Sequence, residues 1–239
     1  MTDINQILSQ TRHRPFDVPA GKWTYYQEWN NALFLHWQVP LDLLRPLVPE
    51  SLNIDVFEGN AYVSLVAFTM QKIRPRNLPA LAFVSDFEEI NIRTYIDHNN
   101  KKGVYFLNIE AEKQLSVFIA RALSGLPYEK SNIRRTNQYY RSLNTRKDFY
   151  LDAAYEVKAS IPEKTALDHW LTERYCLYLN NREAIYCYDI HHKAWELKKV
   201  ALNALNVQYK LGELSLTGQP QLMHYSEGVQ VIAWKRNKL

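Results

Sequence analysis

At 239 residues the chain is long enough for one large domain, and a hydrophobic fraction of 46% excludes wholesale disorder. The formal net charge of +4 is too small to imply a nucleic-acid partner by itself, and no apolar run reaches the roughly 18 residues that a membrane-spanning helix needs. The opening Met1-Thr2-Asp3-Ile4-Asn5-Gln6 lacks the basic and apolar regions of a signal peptide, and 2 cysteines do not make a disulfide framework, so a soluble cytoplasmic protein is expected.

With 16 Tyr and 6 Trp the balance tilts toward strands. Residues 1–20 read as a short helix or loose arm. Trp23–Trp29 and Ala32–Trp37 read as two aromatic-rich strands, and Asp42–Pro49 as a short helix bracketed by prolines. Leu52–Phe57, joined by Glu58-Gly59-Asn60 to Ala61–Met70, carries a hairpin signal. Its second strand is apolar on both faces, which places it centrally. From Phe87 the alternation is clean. Ile90, Ile92 and Ile96 fall on one face, and Glu89, Asn91, Arg93, Tyr95 and Asp97 on the other. A polar loop ending in Gly103 leads to an apolar strand, Val104–Ile109. The period then changes. Leu115, Phe118, Ile119 and Ala122 form one stripe of a helix over 112–124, stopped by Gly125 and Pro127.

After the helix, residues 132–158 read as two or three strands with a turn near Asn144–Asp148. Thr165–Thr172 reads as a short helix, and Glu173–Leu179 with Ala184–Ile190 as a hairpin. The tail adds strands at Leu197–Leu205, Tyr209–Leu216 and Val229–Trp234. No repeat, low-complexity segment or linker interrupts the chain, so residues 1–239 are expected to form a single domain.

The order strand, turn, strand, helix, proline, together with Phe87-Glu88-Glu89 and Ala120-Arg121…Gly125-Leu126-Pro127, resembles the acetoacetate-decarboxylase-like superfamily. Within it the chain is most similar to the YqjF-like family, a domain of unknown function. The segments that carry this likeness include Phe34-Leu35-His36-Trp37, Glu89–Tyr95, Gly103–Phe106, Leu126-Pro127-Tyr128, Leu171–Tyr175, His192–Trp195 and His224-Tyr225-Ser226. The resemblance implies a β-rich α+β fold, an antiparallel β-barrel with a few short helices and a small interior pocket, and it permits a homo-oligomer. In the decarboxylases a lysine just after the proline forms a Schiff base with a β-keto acid, a second lysine lowers its pKa, and a glutamate shapes the site. By motif these positions fall on Tyr128, Glu129 and Glu89. A tyrosine cannot form an imine. Lys130, two positions on, shares the Tyr128 face only if the segment is extended.

The polar face of the Phe87 strand is either a solvated outer face or the lining of a barrel. We expect the lining, because the isoleucine face needs the cover of the 112–124 helix. Glu89 and Tyr128 are then the candidate catalytic groups. Asn91, Arg93, Tyr95, Arg121, Glu129 and Arg174 are the candidate substrate-binding groups, with Arg93 suited to a carboxylic or keto acid. The alternative is a non-catalytic binding or scaffolding barrel in which this face is a structural ion-pair network.

Neither His36, His191, His192 nor His224 stands at zinc-like spacing, so no metal or other cofactor is expected. Cys176 and Cys187 sit symmetrically about Asn181-Arg182 as cross-strand neighbours and are expected as free thiols, with Tyr175 and Tyr188 paired likewise. The basic stretch Lys130, Arg134, Arg135, Arg141, Arg146 and Lys147 reads either as a phosphate-binding surface or as a charged sheet face. Nucleic acid is not the expected partner.

Overall fold

A computed structural model describes residues 4–112, 128–181 and 184–239. The helix expected over 112–124 therefore lies outside the described residues, as does Arg121. The strands are β1 (Tyr25–Val39), β2 (Ala61–Pro75), β3 (Phe87–His98), β4 (Lys101–Ala111), β5 (Tyr128–Lys130), β6 (Asn132–Thr136), β7 (Tyr139–Asn144), β8 (Phe149–Ser160), β9 (Cys176–Asn181), β10 (Ala184–His191), β11 (Lys198–Leu211), β12 (Leu214–Thr217), β13 (Leu222–Ala233) and β14 (Asn237–Lys238). The helices are short: α1 (Ile4–Ser9), α2 (Leu41–Leu44), α3 (Ala82–Ser85) and α4 (Ala166–Thr172). None of the described helices is long and apolar enough to cross a membrane.

Hydrogen bonding runs β10-β9-β4-β3-β2-β1-β13, and β13 pairs back onto β10 through Ile190↔Ala233 and His191↔Ile232. Seven strands thus close a ring, and the fold is β-rich with short helices, as expected. Most neighbours are antiparallel, but β4 pairs in parallel with β9 and with β5. A second layer, β11-β8-β7-β6, continues from β13. Leu33, Leu35, Leu65, Ala67, Ile90, Ile92 and Ile96 share an apolar cluster with Tyr140, Leu151, Tyr155 and Tyr209 of this layer. The isoleucine face is therefore covered by strands. The opposite face of the ring forms its own cluster, with Phe34, Val66, Phe68, Tyr95, Leu177, Ile190 and Val231.

Several local readings are corrected. The two aromatic runs form one strand, β1, with a register irregularity between Asn30 and Leu33 and Asn31 at φ +52°. Leu52–Phe57 contributes only isolated bridges, Ile54↔Ile96 and Phe57↔Asn60. The β3–β4 connection is a tight turn at Asn99-Asn100, both with positive φ, the conformation that asparagine tolerates in a hairpin. Residues 198–211 are one strand, and Gly212 (φ +58°) turns it into β12.

Cys176 and Cys187 are joined by a disulfide, with Cα atoms 6.3 Å apart. The free-thiol expectation was based on compartment, whereas the geometry depends on register. Asn181 pairs with Ala184, so Cys176 stands opposite Asp189 and Cys187 opposite Tyr178. The cysteines are diagonal neighbours, still within bridging reach, and Tyr188 pairs with Leu177 rather than Tyr175.

Gly103 lies where β4 meets β9. A Cβ there would stand 2.2 Å from the Cys176 carbonyl oxygen. Backbone cannot yield as a side chain does, so Gly103→Ala is expected to cost about 3 kcal/mol, a fall in Tm of roughly 6–12 °C. Calorimetric melting of the two proteins checks this.

Candidate functional site

Two irregularities decide which side chains enter the ring. In a regular strand every second residue faces inward. On β1 the inward set is Tyr25, Gln27 and Trp29, and after the irregularity at Asn31 it becomes Ala32 and Phe34. On β2 it is Val66, Phe68 and Met70, and after Lys72 (φ +52°) it becomes Ile73 and Pro75. One extra residue reverses the phase, so both halves of both strands contribute to one cavity. β3 supplies Phe87, Glu89, Asn91 and Arg93, β10 supplies Tyr188 and Ile190, and Tyr128 enters from β5. The cavity measures about 350 Å³. Leu78 and Leu81, exposed at 58% and 55%, lie at its edge.

The lining is mostly aromatic and aliphatic, and its polar groups are concentrated on β3. The Tyr128 hydroxyl donates to Glu89 Oε2 at 2.9 Å. Burial pushes the Glu89 carboxyl up to about 7, against the opposing hydrogen bonds from Tyr128 and Asn91. Burial also drives the Tyr128 hydroxyl well above its ordinary value, and the Glu89 charge adds to that. Glu89 can therefore take up or release a proton near neutrality while Tyr128 keeps its own, which is what acid–base work requires.

Arg93 is the cation of the cavity. Its guanidinium stands over the Phe34 ring, 5.8 Å from the centroid. Nε and Nη2 are buried without a hydrogen-bond partner among the described residues, as is Asn91 Oδ1. No carboxylate pairs with Arg93 among the described ion pairs. Burial lowers its pKa from the ordinary guanidinium value, and the neighbouring Arg174 charge adds to this.

Of the residues singled out from sequence, Glu89, Asn91, Arg93 and Tyr128 come together in the cavity. Of the others, those among the described residues do not line it. Tyr95 shares the β3 face but is buried against Trp170, the rings tilted with centroids 4.4 Å apart. Arg174 is buried against Asp55 at 2.6 Å and lies over the Trp170 and Tyr95 rings. Glu129 turns away to Arg146 (2.6 Å) and Lys147 (3.1 Å). Lys130 is in an extended segment but is exposed and outside the cavity lining.

In the basic stretch, Arg135 pairs with Glu88, Arg141 with Asp152, and Arg146 and Lys147 with Glu129, so four of its six cations are paired with carboxylates. Sequence reasoning missed the aromatic lining from Trp29, Phe68, Phe106 and Trp195, because lining depends on where the phase of each strand reverses. Ligand atoms of Cys176, Cys187 and Asp189 lie within 4.8 Å of one another, but the sulfurs are bonded to each other and Asp189 is paired with Lys101.

A raised carboxyl carries a sign for stability. The folded state holds the Glu89 proton more tightly than the unfolded chain, so stability is lost as pH rises from the ordinary carboxyl value to about 7. Glu89→Gln removes this loss. Its Tm should match that of the parent chain in acid, exceed it increasingly as pH rises through that window, and level off above it. The advantage at the plateau is on the order of 3 kcal/mol. Melting curves across the pH range measure it.

Comparison with known proteins follows the same outline. The model of the DUF2071 family, described as an uncharacterized conserved protein, matches residues 26–230. The protein YqjF of Bacillus subtilis is 34% identical over 241 residues, covering 97% of this chain and 99% of that one. Among solved structures, the enduracididine biosynthesis enzyme MppR complexed with pyruvate superimposes with a TM-score of 0.60 at 9% identity, covering 93% of this chain and 92% of that one. Acetoacetate decarboxylase from Legionella pneumophila gives a TM-score of 0.59 at 12% identity, covering 94% and 93%. At these identities the two structures establish the fold alone.

Proposed function

The chain belongs to the DUF2071 family of uncharacterized conserved proteins, and for it we propose a cavity that takes a carboxylic or keto acid with an apolar body, the carboxylate on Arg93. The observation that carries this reading is the Arg93 guanidinium itself, buried in an aromatic cavity with Nε and Nη2 unpartnered among the described residues. A buried charge without a partner is costly, and a carboxylate accepting from Nε and Nη2 relieves that cost with the fork geometry arginine favours. A cavity of about 350 Å³ lies in the size range of small-molecule sites. A solved structure of the same fold is complexed with pyruvate, which is consistent with an acid ligand.

Glu89 then acts as general base or acid, with Tyr128 as the hydroxyl donor at its side. Four residues of strand separate Glu89 from Arg93, about 13 Å between their Cα atoms. The acid end and the group that Glu89 works on are therefore separated by several bonds of the ligand. Tyr128 occupies the position that motif matching assigns to the Schiff-base lysine, and no lysine is among the described residues that line the cavity. The reading accordingly rests on proton transfer and binding, without an imine step. In the alternative reading, where the polar face is a structural ion-pair network, Arg93 would need a carboxylate, and none pairs with it among the described residues.

Titration calorimetry with 3-benzoylpropionate, a keto acid with an aromatic body, tests the reading against the methyl ester of the same compound. The acid should bind and the ester should not. Arg93→Met should weaken binding of the acid by about 30-fold or more, the loss of a charge-assisted hydrogen-bond pair worth ~2 kcal/mol. The same substitution should leave the Tm of the unliganded protein unchanged or higher, because an unpaired buried charge has been removed. Equal binding of acid and ester, or a Tm that falls sharply in Arg93→Met, would favour the structural network.

A further inference from the structure

Behind Arg93 lies a buried chain of polar side chains that the cavity itself does not use. Tyr95 lies two residues on from Arg93 on the same face of β3, and the two side chains interact electrostatically. Tyr95 Oη lies 2.5 Å from Ser64 Oγ. Ser64 Oγ lies 2.6 Å from His36 Nδ1. His36 Nε2 lies 3.1 Å from His224 Nδ1, and His224 Nε2 lies 2.8 Å from Asp168 Oδ1. The other oxygen of Asp168 accepts the Thr165 backbone N–H at 2.8 Å, closing the capping box of α4. Ser64, Tyr95, His36 and His224 are fully buried.

The two ends of this chain have fixed polarity. A guanidinium can only donate, and a carboxylate can only accept. Burial weighs against ionising Asp168, but the Thr165 backbone N–H, then the Thr165 side chain and the His224 charge and hydrogen bond, outweigh it and hold the carboxyl below its usual range. Burial holds His36 well below its ordinary value, with His224 and Arg93 adding to this, and burial likewise lowers His224. Both rings are therefore neutral, with one donor and one acceptor each.

Starting from Asp168, His224 must carry its proton on Nε2 and accept at Nδ1. His36 must donate from Nε2 and accept at Nδ1. The single hydroxyl proton of Ser64 is then committed to His36, so Ser64 accepts from Tyr95, whose oxygen is left as an acceptor on the side of Arg93. Four bonds are oriented one way, from Tyr95 beside the buried cation to a buried anion.

We infer that Tyr95, Ser64, His36, His224 and Asp168 are positioning residues that hold one edge of the Arg93 guanidinium and leave its Nε and Nη2, unpartnered among the described residues, for an acid ligand. This deepens the acid-binding reading and rests on it for the role of Arg93. The other charged groups near the chain are Arg174, which lies over the Tyr95 ring, and Lys164, which is bonded to Glu173. Phe34 stacks on His36, with centroids 6.1 Å apart, and separates it from the Arg93 charge.

Nuclear magnetic resonance on the unliganded full chain tests this without depending on any ligand. Among the described residues the His36–His224 contact is the one hydrogen bond that joins two histidine rings. With ¹⁵N-labelled histidine, a nitrogen–nitrogen coupling across that bond should appear, from a protonated Nε2 to an unprotonated Nδ1, with both rings neutral at neutral pH. The Arg93 Nε–H signal, assigned by its loss in Arg93→Lys, should exchange with water about tenfold faster in Ser64→Ala, the effect of one hydrogen bond lost at a distance. Ser64→Thr, which restores the hydroxyl, should return it to the parent rate. A charged ring, an Nδ1-protonated ring, or an Arg93 signal indifferent to Ser64→Ala would overturn the inference. The coupling is read on the unaltered chain, so it decides the matter even if a variant does not fold. Failure of 3-benzoylpropionate to bind would bear on the acid-binding reading alone.

Discussion

A guanidinium held among aromatic side chains, with no carboxylate paired to it among the described residues, is the constraint that the rest of this structure answers to. Placing a charge in such surroundings costs several kcal/mol unless something compensates. Two compensations are visible. Behind Arg93, a one-way run of hydrogen bonds reaches Asp168 and lets a distant anion polarise the Tyr95 hydroxyl toward the cation. In front, Arg93 lines a cavity of ligand size, and two of its donors have no partner among the described residues.

The fold supplies the dryness that gives these interactions their strength. Seven strands close on themselves, so the interior is reached past the edge near Leu78 and Leu81 rather than through a sheet edge. The second layer covers the outer face of β3, leaving both of its faces buried. Low polarity within the ring raises the Glu89 carboxyl, and it also makes the Arg93–carboxylate contact worth forming. The same burial thus sets up the acid–base pair and the anion site on one strand.

Much of this could be read in the residues. The period-two pattern put Glu89, Asn91, Arg93 and Tyr95 on one strand face, and Glu89, Asn91, Arg93 and Tyr128 meet in one cavity that Tyr95 does not line. The central position of β2 and the short helix over 165–172 were also legible, because such local patterns are written in adjacent residues. The phase reversals at Asn31 and Lys72 were not, since a single inserted residue leaves no mark in composition, and so two aromatic runs looked like two strands. The histidine relay was invisible for another reason: His36 and His224 are 188 positions apart, and only the pairing of β1 with β13 brings them together. Zinc-like spacing was the wrong template for histidines whose partners are Ser64 and Asp168. The cysteine bridge depended on a register shifted by two from the symmetric one.

The most direct test of the acid site is a crystal structure of the protein soaked with 3-benzoylpropionate. The account predicts the carboxylate within hydrogen-bond distance of Arg93 Nε and Nη2, the aromatic ring among Trp29, Phe68 and Tyr188, and the Tyr95 hydroxyl still on Ser64. A ligand seated with its carboxylate at the Leu78 edge, or a cavity that stays empty at saturating acid, would contradict it.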